Sequence, residues 1–138
     1  MVTINNLKEL EEFSKNFALK LKPSSILGLI GDLGAGKTQF AKFLVKYLNG
    51  NPLDVTSPTF TILNEYSTKK NFKIYHFDLY RLKSIEELEE IGYEDFFFSD
   101  NITIVEWIDN IPECLNMATN IIKLEYIDEN IRKLTILK

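Results

Sequence analysis

Apolar residues recur at three- and four-residue steps from Leu7 to Leu21, with Leu7, Leu10, Phe13, Phe17 and Leu21 on one stripe. That period predicts an amphipathic helix. Asn6 stands as its N-cap with Glu9 three residues on, and Pro23 stops it. The pattern then changes. Ile26-Leu27-Gly28-Leu29-Ile30 is an unbroken apolar run, as in a strand buried on both faces. A second helical stripe follows from Thr38 to about Asn49, carried by Phe40, Phe43, Leu44, Tyr47 and Leu48, with Gly50 placed as its C-cap.

Beyond a linker at Asn51-Pro52 and Asp54, alternation from Phe60 to Tyr66 and from Phe72 to Phe77 predicts a hairpin around a polar turn at residues 67–71. Ser84-Ile85-Glu86-Glu87 reads as a capping box opening a short acidic helix that ends at Gly92. Tyr93 to Phe98 reads as another short helix, with Phe96, Phe97 and Phe98 taken for core in preference to a docking patch. Residues 101–105 form a strand ending at Glu106-Trp107, Ile111-Pro112-Glu113 a helical turn, and residues 121–127 and 131–137 a closing hairpin. The sum is an α/β fold of the P-loop NTPase kind over residues 1–138, in one domain. It has three layers and a mixed central sheet, with parallel strands near the glycine loop and antiparallel hairpins appended.

The loop is Gly31-Asp32-Leu33-Gly34-Ala35-Gly36-Lys37-Thr38, which satisfies G-x-x-x-x-G-K-[ST] and lies between the apolar strand and the second helix. Glycines let a chain turn its N–H groups inward around phosphate oxygens. The following helix adds unpaired N–H groups and the positive end of its dipole. Lys37 is suited to the terminal phosphates and the Thr38 hydroxyl to Mg²⁺.

Charge narrows the field. The net charge is −4 and the one basic cluster is Lys69, Lys70 and Lys73, so no basic face for gripping DNA or RNA is visible. The lone cysteine, Cys114, cannot close an internal disulfide, and no run approaches a membrane span. Both point to a cytoplasmic protein. Arg81 and Arg132 are the only arginines, few for an enzyme that clamps a second phosphorylated substrate.

A phosphate loop needs a carboxylate at the end of a neighbouring strand to fix a metal or its waters. Asp78 and Glu106 both end strands, and Glu106 ends the more uniformly apolar one, which makes it the stronger metal candidate. His76, the only histidine, shares a strand face with Asp78 and takes either a core or a catalytic reading. Trp107 is either core or beside the site. Thr56, Ser57 and Thr59 are either a cap and turn or a mobile segment sensing a terminal phosphate.

Together the motifs resemble one family. Gly-Asp-Leu-Gly-Ala-Gly-Lys-Thr at 31–38, Ser-Pro-Thr-Phe at 57–60, His-Phe-Asp-Leu-Tyr-Arg-Leu at 76–82 and Glu-Trp at 106–107 stand in the order of the bacterial TsaE (YjeE) family. The resemblance implies a P-loop ATPase, weak in isolation, that binds ATP or ADP with Mg²⁺. It implies work beside TsaD and TsaB in forming N6-threonylcarbamoyladenosine in tRNAs reading codons that begin with A, with tRNA met only through the complex. Carried across, Gly31, Asp32, Leu33, Gly34, Ala35, Gly36 and Lys37 cradle phosphate, while Thr38 and Glu106 hold Mg²⁺. Lys37, Asp78 and Glu106 serve turnover, Thr59 belongs to the switch-like segment, Trp107 flanks the site, and Arg132 lies near the adenine.

The alternative is a small-molecule or nucleotide kinase of the same loop class, against which the scarcity of arginine counts. A GTP switch is disfavoured, since neither Asn-Lys-x-Asp nor Asp-x-x-Gly occurs.

Overall fold

Strands with apolar residues on both faces hold the middle of the sheet. The computed structural model describes residues 1–138. In chain order its strands are β1 (Val2–Ile4), β2 (Ile26–Ile30), β3 (Leu63–Ser67), β4 (Lys73–Asp78), β5 (Ile102–Glu106), β6 (Asn120–Tyr126) and β7 (Arg132–Ile136). Its α-helices are α1 (Leu7–Ala18), α2 (Lys37–Tyr47), α3 (Ile85–Ile91), α4 (Glu94–Phe97) and α5 (Glu113–Met117). Short 3-10 turns cover Pro52–Asp54 and Ile108–Asn110.

The sheet order is β1-β7-β6-β2-β5-β4-β3. The inner strands β6, β2, β5 and β4 are mutually parallel, while β3 and β7 run antiparallel to their neighbours. The expected mixed sheet is therefore present. On one face α1 and α2 pack Leu10, Phe17, Phe40 and Leu44 over Leu27, Leu29, Ile74 and Ile104. On the other, Leu88, Phe97 and Cys114 from α3, α4 and α5 close over Tyr75, Phe77 and Val105.

Local expectations need several corrections. The first helix ends at Ala18, three residues short of the expected Leu21, although Leu21 still reaches the core; Leu7, in the first turn, is exposed. Strand β1 lies outside the expected elements because it is three residues long and is held by pairing with β7. At the end of α2 the left-handed position falls on Asn49, and the Gly50 N–H closes the turn on the Val45 carbonyl. Residues 60–62 belong to a turn, so β3 begins at Leu63; Phe60 is exposed, with the Arg81 guanidinium 4.3 Å from its ring centre. Ser84 caps α3 by position without a side-chain bond, and Glu87 reaches back to the Lys83 N–H at 3.3 Å, one residue before the expected donor. Of the three phenylalanines, Phe97 is buried, Phe96 is half-buried and Phe98 is exposed.

This topology puts the C-terminal ends of β2, β5 and β4 side by side. The register pairs Leu29 with Glu106 and Asp78 with Glu106. Two acids 28 positions apart in sequence thereby become direct neighbours beside the loop that follows β2.

Candidate functional site

The chain leaves β2 at Ile30 and enters α2 at Lys37 through the glycine loop. Gly34 and Gly36 have φ of 80° and 100°, where a side chain is strained, and a Cβ on Gly34 would meet nothing within 4 Å. The Ala35 N–H bonds to the Asp32 carbonyl, and in α2 the Phe40 N–H bonds to that of Gly36; the amides of Gly34, Gly36, Lys37 and Thr38 bond to no protein acceptor. Donors left over at a loop and helix start make a site for an anion. Ala35 adds only backbone, its methyl lying in the core.

Lys37 is only 5% exposed. Its ammonium donates to the carbonyls of Gly31 and Asp32, the latter at 2.9 Å, and lies 4.4 Å from the centre of the Trp107 ring. Burial pushes its pKa down from the ordinary lysine range, opposed by the charges of Glu106, Asp78, Asp32 and Asp109. Trp107 follows β5 with φ 58° and ψ 36°, a left-handed conformation costly for a bulky residue, and its ring packs tilted at 50° against Tyr80, with the ring centres 4.9 Å apart.

Thr38 Oγ1 lies 3.3 and 3.2 Å from the two carboxylate oxygens of Glu106 and donates to them. Oε2 of Glu106 also meets His76 Nε2 at 2.5 Å, and His76 Nδ1 meets the Tyr66 hydroxyl at 2.8 Å. Burial raises the Tyr66 pKa, against the lowering effect of hydrogen bonds with Asn64 and the Thr56 carbonyl. Asp78 accepts from Thr59 Oγ1 at 2.9 Å and from the Tyr80 N–H at 2.8 Å, and Thr59 in turn meets Ser57 at 2.8 Å.

These groups surround one cavity of about 240 Å³, whose walls include Lys37, Thr38, Thr59, Asp78, Glu106 and Trp107. Leu33, Gly34 and Gly36 complete its loop side, while Gly31 and Asp32 face an adjoining hollow shared with Trp107. Arg132 lies in an adjoining hollow that shares Gly36 and Gln39 with this cavity, its Nε 3.9 Å from where a Cβ on Gly36 would lie. Arg132 donates to the carbonyls of Asp128 and Ile131 at 2.5 and 3.1 Å. Of the residues whose sequence reading was open, Ser57, Thr59 and Trp107 all line the cavity wall. Tyr66 carried no sequence signal beyond its place in an alternating strand. His76 carried one, its spacing of two from Asp78.

The site thus sits on an α/β protein with a mixed seven-stranded sheet, at a glycine loop that follows the central strand. The family described as threonylcarbamoyl adenosine biosynthesis protein TsaE matches residues 4–134, and the chain belongs to that family. It is 42% identical to the tRNA threonylcarbamoyladenosine biosynthesis protein TsaE of Rickettsia felis, over 99% of this chain and 79% of the relative. The protein of the same name from Aquifex aeolicus is 39% identical over 98% of this chain and 93% of its own length. The crystal structure of Bacillus subtilis YdiB superposes with a TM-score of 0.73 at 28% identity, covering 98% of this chain and 82% of that one. No helix is long and apolar enough to cross a membrane.

Proposed function

We propose that this chain is the ATPase subunit of the tRNA threonylcarbamoyladenosine pathway, binding Mg-ATP, hydrolysing it slowly, and acting with TsaD and TsaB. The observation that carries the reading is the set of unpartnered amides at Gly34, Gly36, Lys37 and Thr38, opening where Lys37 and the Thr38–Glu106 pair converge.

The donor set fits the nucleotide. The amides and Lys37 would receive the phosphates, with Lys37 exchanging its carbonyl partners for phosphate oxygens. The hydroxyl of Thr38 and a carboxylate oxygen of Glu106 are hard oxygen donors already side by side, as Mg²⁺ prefers. Bound there, Mg²⁺ would offset charge on the terminal phosphates and polarise the bond to be cleaved. Asp78 and Thr59 line the same cavity and are assigned to sensing and turnover. Arg132, in the adjoining hollow, is assigned to the adenine side.

Calorimetry of the purified chain with Mg-ATP is expected to show one saturable site. Pull-down with TsaD and TsaB is expected to need nucleotide. Absence of any heat at saturating Mg-ATP would overturn the nucleotide reading, and equal association without nucleotide would overturn its coupling to partners.

A further inference from the structure

No part of His76, the only histidine of the chain, is exposed. It sits on β4 in the apolar layer beneath α1 and α2, between Tyr66 of β3 and Glu106 of β5. Its backbone partner in β5 is Ile104, so the ring leans one pleat forward to reach Glu106. A carboxylate only accepts, so Nε2 carries the proton at that 2.5 Å contact. The Tyr66 hydroxyl, 2.8 Å from Nδ1, also lies 3.3 Å from the Thr56 carbonyl. A line of contacts therefore runs from the 56–59 segment through Tyr66 and His76 to Glu106 and Thr38.

Packing alone does not account for this line. An imidazole, a phenol and a carboxylate all lose hydration on burial, and apolar side chains of similar size are commonly as stable in such places. What the contacts accomplish is orientation. With Oε2 held by Nε2, the carboxylate keeps both oxygens within 3.3 Å of Thr38 Oγ1. We propose that His76, backed by Tyr66, is a positioning residue that holds the Glu106 carboxylate in place beside the Thr38 hydroxyl. This role presupposes that Thr38 and Glu106 form the magnesium site.

Two measurements test it. The first needs no nucleotide. Because there is one histidine, the imidazole region of a ¹⁵N-¹H spectrum reports on His76 alone. Its Nε2–H is expected to be downfield and slow to exchange with solvent, and to move in Glu106→Gln. An Nε2–H that exchanges freely, or does not respond to Glu106→Gln, overturns the proposal.

The second measures ATP hydrolysis and the Mg²⁺ concentration at half-saturation. Loss of a group that orients a metal ligand costs about tenfold to a hundredfold. His76→Leu is expected to lose that much in kcat and to need more Mg²⁺, while ADP affinity measured without metal stays within about twofold. His76→Gln, which can offer an amide N–H in place of Nε2, is expected to recover most of the loss. Tyr66→Phe removes one hydroxyl without altering packing, and should reduce kcat several-fold even if His76→Leu fails to fold. Unchanged kcat and Mg²⁺ requirement in folded His76→Leu, or in Tyr66→Phe, overturns the proposal. Failure of the parent chain to bind Mg-ATP would instead overturn the nucleotide reading, and the spectrum would still decide whether His76 holds Glu106.

Discussion

The ammonium of Lys37 lies 4.4 Å from the centre of the Trp107 ring, on the wall of the cavity that both residues line. Lys37 is thus committed on two sides, to the indole face and to the carbonyls of Gly31 and Asp32. Trp107 is the only tryptophan, so its fluorescence reports on this one place. Movement of Lys37 onto phosphate is expected to change the emission on titration with Mg-ATP. In Lys37→Met the titration should be flat or shifted at least about tenfold to higher nucleotide concentration, the loss of one charge-assisted contact.

Burial holds the Lys37 pKa below the ordinary lysine range. Between the folded and unfolded values the unfolded chain binds more protons, so stability contributed through this group rises with pH across that window. The charge is a burden in the folded state below its folded pKa, and that burden lifts as the proton leaves. Stability of the parent relative to Lys37→Met is therefore expected to shift in the parent's favour as pH rises toward the ordinary lysine pKa. Chemical denaturation of both chains across that range checks the sign.

Thr38 and Glu106 form one unit, so their losses should differ in kind. Thr38→Ala is expected to weaken binding in the presence of Mg²⁺ and to match the parent once the metal is chelated. Glu106→Ala should lower kcat by at least about tenfold, roughly 1.4 kcal/mol of barrier, with little change in ADP affinity. Turnover equal to the parent's in Glu106→Ala would remove that residue from the mechanism.

Asp78 has both oxygens engaged, by Thr59 Oγ1 and by the Tyr80 N–H, and is 2% exposed. Asp78→Asn can keep an acceptor for Tyr80 and meet Thr59 with its amide, so the fold should change little. Asp78→Ala removes the charged acceptor of two part-buried hydrogen bonds, from Thr59 and from the Tyr80 N–H, and is expected to cost about 1–3 kcal/mol in a denaturation experiment. If the charge serves turnover, Asp78→Asn will fall with Asp78→Ala in kcat while separating from it in stability.

Gly28, in the middle of β2, faces Ile108, the residue after Trp107. A Cβ there would lie 2.6 Å from Ile108 Cδ1 and 2.8 Å from its Cγ2. Gly28→Ala is expected to destabilise by about 1–3 kcal/mol through overpacking. Shortening the neighbour in Gly28→Ala/Ile108→Val should recover part of that, measured as non-additivity in a double-mutant cycle.

Elements announced by short-range pattern were legible in the chain. Strand β2, the glycine loop and helix α2 follow one another without interruption, and their hydrophobic periods and turn residues are local facts. The closing hairpin and the ends of β4 and β5 were legible for the same reason. The three-residue strand β1 was not, because too few residues repeat to show a period and only β7 holds it in place. Nor was the turn at Phe60, whose aromatic continues the alternation of β3 while its side chain lies out in solvent.

The chain by itself determined the phosphate-loop motif and the two acids at strand ends, along with membership of the TsaE family, because those are statements about which residues stand at which spacing. Which acid touches Thr38, and what stands behind it, was decided only when β4 and β5 paired in parallel and brought His76 and Tyr66 against Glu106. The physical reason is that strand register is set by the whole buried face at once. Contacts between residues 10 and 30 positions apart, as here, depend on it and leave no local trace.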